Sequence, residues 1–73
     1  MKLVKFYDKG EIERNRSGEI WINPNYITSI QVSKYDPTET KIEFIGNAGY
    51  HTKAIYVDLR IETVKNKLTE KGT

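Results

Sequence analysis

The hydrophobic period of this chain changes once, and that change constrains the fold more than any other feature. Up to Val57 the apolar residues come in short alternating runs, as in Ile20-Trp21-Ile22 and Ile42-Glu43-Phe44. From Asp58 onward they fall at Ile61, Val64 and Leu68. Alternation sends neighbouring side chains to opposite faces of a strand, whereas spacings of three and four line one stripe of a helix. Short strands followed by one amphipathic helix predict an α+β domain. Its expected form is a small antiparallel β-meander of four to five strands with one C-terminal α-helix packed on one face. Residues 1–73 make a single domain.

The first strand is expected over Lys2 to Tyr7, with Val4 and Phe6 on one face and Leu3, Lys5 and Tyr7 on the other. Asp8-Lys9-Gly10 reads as a turn. Glu11 to Arg16, where only Ile12 is apolar, reads as a protruding loop or a short exposed strand. After Ser17-Gly18, Glu19 to Ile22 is strand again. Asn23-Pro24 ends it, because proline has no N–H to donate, yet Pro24 suits the first position of a helical turn capped by Asn23. That turn is expected to bring Tyr26 and Ile27 onto the core. A strand from Thr28 places Ile30 and Val32 inward, with Gln31, Ser33 and Tyr35 outward. Asp36-Pro37-Thr38-Glu39 is a hairpin turn with Pro37 at its second position. Lys41 to Ile45 turns Ile42 and Phe44 inward; Lys53 to Val57 turns Ile55 and Val57 inward and Tyr56 outward. Asp58 is the expected N-cap of the helix, with Lys65, Lys67 and Lys71 toward its negative end.

Composition narrows the functional classes. No cysteine is present, so neither a disulfide nor a thiolate metal site can staple the fold. Below roughly 70–80 residues one core seldom supplies more than about 3–5 kcal/mol, which makes a homo-oligomer the expected state. Twelve basic and ten acidic side chains leave a net charge of +2, a weak pull toward phosphate backbones. The N-terminal stretch lacks the apolar run of a signal peptide, and no stretch is apolar enough to span a bilayer. The expected location is cytoplasmic, away from membranes, and the glycosylation triplet Asn15-Arg16-Ser17 carries no weight.

One helix covers one sheet face. The other face is expected to carry Leu3, Tyr7, Trp21, Ile45 and Tyr56, more apolar than a solvated face requires, and so to bind a protein partner or a second copy. The competing arrangement curls the sheet into a small barrel, or packs Trp21 under the charged loop; one bulge would invert the parity that decides between them. A second candidate is the loop Gly46 to Lys53. There Asn47, Tyr50, His51 and Lys53 offer backbone N–H groups, a stacking ring and a cation to a ligand, against the alternative of a plain hairpin loop.

Catalytic chemistry finds no footing. His51 is the only histidine, and Asp8, Asp36 and Asp58 sit at separate turns without ligand spacing, so neither a metal nor a cofactor is expected. Ser17, Ser29 and Ser33 lie in no nucleophile context. The sequence therefore predicts a non-enzymatic interaction module. The alternative is a binder of nucleotide or single-stranded nucleic acid using the outer aromatics with Lys5, Lys41 and Lys53. A third option is an enzyme whose site forms only across subunits.

The turn Ile22-Asn23-Pro24-Asn25-Tyr26-Ile27 lies between strands and precedes a turn-linked strand pair and a terminal amphipathic helix. In that order the chain resembles the small flagellar proteins of the FlbD type, over about Ile20 to Leu68. It departs from them in the charged stretch Asp8 to Glu19 and in the longer Gly46–Lys53 loop. The resemblance implies a non-enzymatic accessory protein. A short, cysteine-free chain rich in lysine and isoleucine is equally in keeping with an accessory protein of a phage or mobile element.

Overall fold

In the computed structural model, which describes residues 3–45 and 52–69, the five strands divide between two antiparallel sheets. Strands β1 (Val4–Tyr7) and β2 (Glu19–Ile22) form a two-stranded ribbon. Strands β3 (Ile27–Val32), β4 (Thr40–Ile45) and β5 (Thr52–Val57) form a sheet in that order. A short helix, α1 (Lys9–Glu13), lies in the β1–β2 connection, and α2 (Ile61–Thr69) closes the chain order. The α+β class, the antiparallel strands and the C-terminal helix are as expected from the change of period.

The break between the sheets falls at Asn23-Pro24. The Asn23 side chain accepts the Asn25 N–H at 2.9 Å, and the Tyr26 N–H donates to the Asn23 carbonyl at 2.9 Å. Pro24–Tyr26 is a single 3-10 turn. Its proline has no donor for a ladder, so β2 stops and a second sheet begins. Ile27 packs against the core as expected, but Tyr26 does not: it is 57% exposed. Adjacent side chains leaving a tight turn diverge, and Ile27 takes the inward direction.

A register shift in β3 between Ile27 and Ser29 settles the parity of that strand. Ile27 and Ile30 are three apart, an odd spacing that a regular strand sends to opposite faces. The bulge lets both pack on the core, opposite Phe44 and Ile42, which are two apart.

The core lies where both sheets and α2 meet. The ribbon contributes Val4, Phe6 and Ile22, the larger sheet Ile42, Ile55 and Val57, and α2 contributes Val64. Ile20, Ile30, Phe44, Leu59 and Leu68 pack around them. Val32, expected inside, is exposed. It pairs with Thr40, and it is Thr40 that occupies the covered position, donating its hydroxyl to the Leu59 carbonyl at 2.7 Å. Leu59 also explains why Asp58 is not the cap. The chain first presses Leu59 onto the core, and α2 starts only afterwards, its first bond running from the Val64 N–H to the Arg60 carbonyl.

Between β1 and β2 the structure has a helix where a loop or strand was expected. Asp8 caps α1 by accepting the Gly10 N–H at 3.0 Å, which the charged composition did not reveal. Gly18 closes the connection at φ 71°, and its carbonyl accepts the Asp8 N–H at 2.8 Å. A Cβ there would stand 2.8 Å from the Asp8 carbonyl oxygen, so only glycine fits. The Asp36–Glu39 turn is as expected, with the Glu39 N–H on the Asp36 carbonyl at 3.0 Å. Ser33, expected outside, is buried under this turn, where its N–H reaches the Glu39 carbonyl.

Candidate functional site

The outer face of the ribbon is built from residues that alternate with the buried Val4, Phe6 and Ile22. Cross-strand pairing sets Lys5 opposite Trp21 and Tyr7 opposite Glu19. The Lys5 ammonium lies 5.5 Å from the centre of the Tyr7 ring and 5.6 Å from that of Trp21. Both are within cation–π range, so one lysine ties two aromatic rings into a surface. The Trp21 indole N–H donates to the Glu19 carboxylate at 2.8 Å. The polar edge of the indole is thus already satisfied and Lys5 lies over one face of the ring; the exposed remainder is hydrocarbon. Trp21 is 53% exposed, with Tyr7 and Leu3 exposed to a similar extent.

A groove of about 260 Å³ adjoins this face where the ribbon meets the larger sheet. Trp21 and Ile45 line it, joined by Tyr26, Phe44 and Lys53. Trp21, Tyr7, Leu3 and Ile45 are therefore all exposed, and Trp21 and Ile45 share a groove. Tyr56 sits elsewhere. It pairs with Lys41, four residues along β4 from Ile45 and so about 13 Å away along the strand. It is half-buried, and its ring meets Tyr35 edge-on at 6.1 Å. Of the candidate ligand loop, Asn47, Tyr50 and His51 lie outside the described residues. Lys53 pairs with Phe44 and joins the groove beside Trp21 instead. Sequence reasoning missed Tyr26 as a surface residue; its position straight after an Asn-Pro turn was the available signal.

The outer face of the larger sheet is of another kind. Ser29 opposes Glu43, and Gln31 opposes Lys41. The Ser29 hydroxyl donates to the Glu43 carboxylate at 2.7 Å, and the Lys41 ammonium lies 3.6 Å from it. The hydroxyl bond, then the lysine charge, hold the Glu43 carboxyl below its ordinary value. At the hairpin turn, the Thr38 hydroxyl and N–H both donate to Asp36 and lower its carboxyl likewise. On α1, Lys9 reaches the buried Glu39 at 2.6 Å, a bond that raises the Lys9 ammonium and pins the helix to the turn.

Among the described residues, no group of three or more His, Asp or Glu side chains is placed to hold a metal ion, and no helix is long and apolar enough to cross a membrane. No protein-family model, curated protein or solved structure matches this chain.

Proposed function

We propose that this protein is a non-catalytic interaction module that self-associates through the outer face of the β1–β2 ribbon and seats a protein partner in the adjoining groove. The observation that carries this reading is Trp21, with its N–H bonded to Glu19, Lys5 over its ring and about half of its surface still exposed. A fully buried aromatic removes roughly 150–250 Å² from water, worth about 4–6 kcal/mol at about 25 cal/mol/Å². With 53% of Trp21 still exposed, about half of that, roughly 2–3 kcal/mol, remains to be gained in a complex. For a chain without disulfides this is comparable with the stability of the whole domain.

Charge makes the face self-complementary. Lys5 and Glu19 lie on neighbouring strands, so a two-fold related copy can set each near its opposite. The cysteine-free composition suits a reducing, cytoplasmic setting. The FlbD-type resemblance points the same way, toward an accessory protein without catalytic activity. Light scattering across a range of concentrations tests the reading. The wild type is expected to grow in mass with concentration and Trp21→Ala to stay monomeric; identical masses for the two overturn it.

A second reading rests on Lys5 between two rings and Lys53 at the groove. Cations beside stacking planes are the equipment of a nucleotide or single-strand binder. An affinity for single strands that falls steeply between low and moderate salt supports it. An affinity for a protein partner that ignores salt supports the first.

A further inference from the structure

A second groove, of about 350 Å³, opens between β1, α1 and the β5–α2 connection; it shares Lys5 and Tyr7 with the ribbon face, and the rest of its lining lies outside the self-association reading. Its apolar surface comes chiefly from Ile12, Leu59 and the Tyr7 ring, with the buried Phe6 at its floor. Ile12 is the only apolar side chain of α1 and is 48% exposed, an unusual residue to leave on a charged five-residue helix. Three ammonium groups, Lys5, Lys9 and Lys67, line the groove against one carboxylate, Asp58.

These cations are not equivalent. Lys9 is matched by Glu39 at 2.6 Å. Lys5 and Lys67 have no ion-pair partner among the described residues. Both are instead steadied by aromatic rings: Lys67 stands 5.8 Å from the Phe6 centroid, and Lys5 stands over Tyr7. An ammonium held on a ring keeps its charge and its remaining hydrogen-bond donors. Two positioned cations beside apolar side chains complement a ligand with an anionic head and an apolar body. A highly charged phosphate ester suits this lining poorly, since one wall is hydrocarbon. The volume lies at the lower end of the range of about 300–1,000 Å³ typical of small-molecule sites.

We propose that this groove binds a small amphipathic monoanion, a free carboxylate on an aliphatic tail. The head meets Lys67 and Lys5, and the tail lies against Phe6, Ile12 and Leu59. Binding is a reversible ion pair combined with burial of hydrocarbon; no bond is made or broken. Ile12 then has a purpose, as the part of α1 that covers the tail.

Octanoate is a suitable probe, titrated into the full chain labelled with nitrogen-15 and followed by NMR. Saturable shifts are expected at Phe6, Ile12, Leu59 and Lys67. Lys67→Gln should weaken binding about tenfold, Lys67→Arg should restore it, and Ile12→Ser should weaken it without touching the charge. Tyr26→Ala, which alters only the other groove, should leave it unchanged. Octanol, equal in tail but uncharged, should bind about tenfold more weakly. Shifts that never saturate, shifts centred on Trp21 and Ile45, or equal binding of octanol overturn the proposal. So does recruitment to phosphatidylserine vesicles without binding of free octanoate, which would make the ligand a lipid surface.

Discussion

On the outer side of the three-stranded sheet, Glu43 is held by Ser29 and Lys41, while on the outer side of the ribbon Trp21, Tyr7 and Leu3 stay about half exposed. Both sheets give their inner faces to one core. They differ only in how the other side is finished. Around Glu43 the larger sheet finishes its outer side with polar side chains that bond across strands, an arrangement stable in water, with Tyr56 and Ile45 at either end of that patch. The ribbon presents rings tied together by a lysine, which hold their shape but leave hydrocarbon in contact with solvent. On this contrast rests the proposal that the ribbon face, and not the sheet face, is the one covered in a complex.

The largest effect concerns the shared core. If the ribbon is an integral part of that core, Phe6→Ala should cost about 3–5 kcal/mol, as much as losing a residue of the larger sheet and enough to abolish the cooperative urea transition. A cost below about 1 kcal/mol would make the ribbon a loosely attached flap and end the comparison.

Next comes the outer contrast. Trp21→Ala should weaken self-association by about 2–3 kcal/mol while altering monomer stability far less. Gln31→Ala, on the polar face, should change either quantity by no more than about 0.5 kcal/mol. Equal effects from the two would erase the distinction between the faces.

Gly18→Ala sharpens the account of how the ribbon is set. The left-handed backbone and the close Asp8 carbonyl predict a loss of about 1–3 kcal/mol in thermal unfolding, with Trp21 emission altered because β2 shifts against β1. A neutral result would show that the connection does not fix the register.

The smallest effect belongs to the polar side. Asp36 and Glu43 have carboxyls lowered from 3.8 and 4.5 in the folded state. Groups with depressed folded values stabilise above their unfolded values, and that stabilisation is lost as pH falls through the folded ones. Unfolding midpoints should therefore decline below about pH 4, and Asp36→Asn should flatten that decline. An acid limb unchanged by the substitution would remove Asp36 from the explanation.

The sequence made legible much of what depends on local chemistry, though not the Asp8 cap of α1 or the late start of α2. The Asn23 cap with Pro24 behind it and the Asp36–Glu39 turn appear where residue type and spacing put them. Of the expected Ile61, Val64 and Leu68 stripe, Val64 and Leu68 pack on the core, while Ile61 is only partly covered at the helix start. What stayed hidden depends on partners far along the chain. Helix α1 is capped at Asp8 but also anchored by Glu39, thirty residues away. The bulge that turns both Ile27 and Ile30 inward follows from pairing with Phe44 and Ile42. The candidate surface was partly visible, since Trp21, Tyr7 and Leu3 could be placed outside by alternation. That Lys53 would share a groove with Trp21 while Tyr56 would not is set by register between strands, which no single stretch of sequence states.

Trp21 is the only tryptophan, so its fluorescence reports on the proposed contact surface without labelling. Emission and acrylamide quenching should be followed from dilute to concentrated protein. If the ribbon face is covered by a second copy, emission moves to shorter wavelength and quenching falls as concentration rises, and both reverse on dilution. Emission and quenching that stay constant while light scattering records association would place the contact elsewhere and contradict the account.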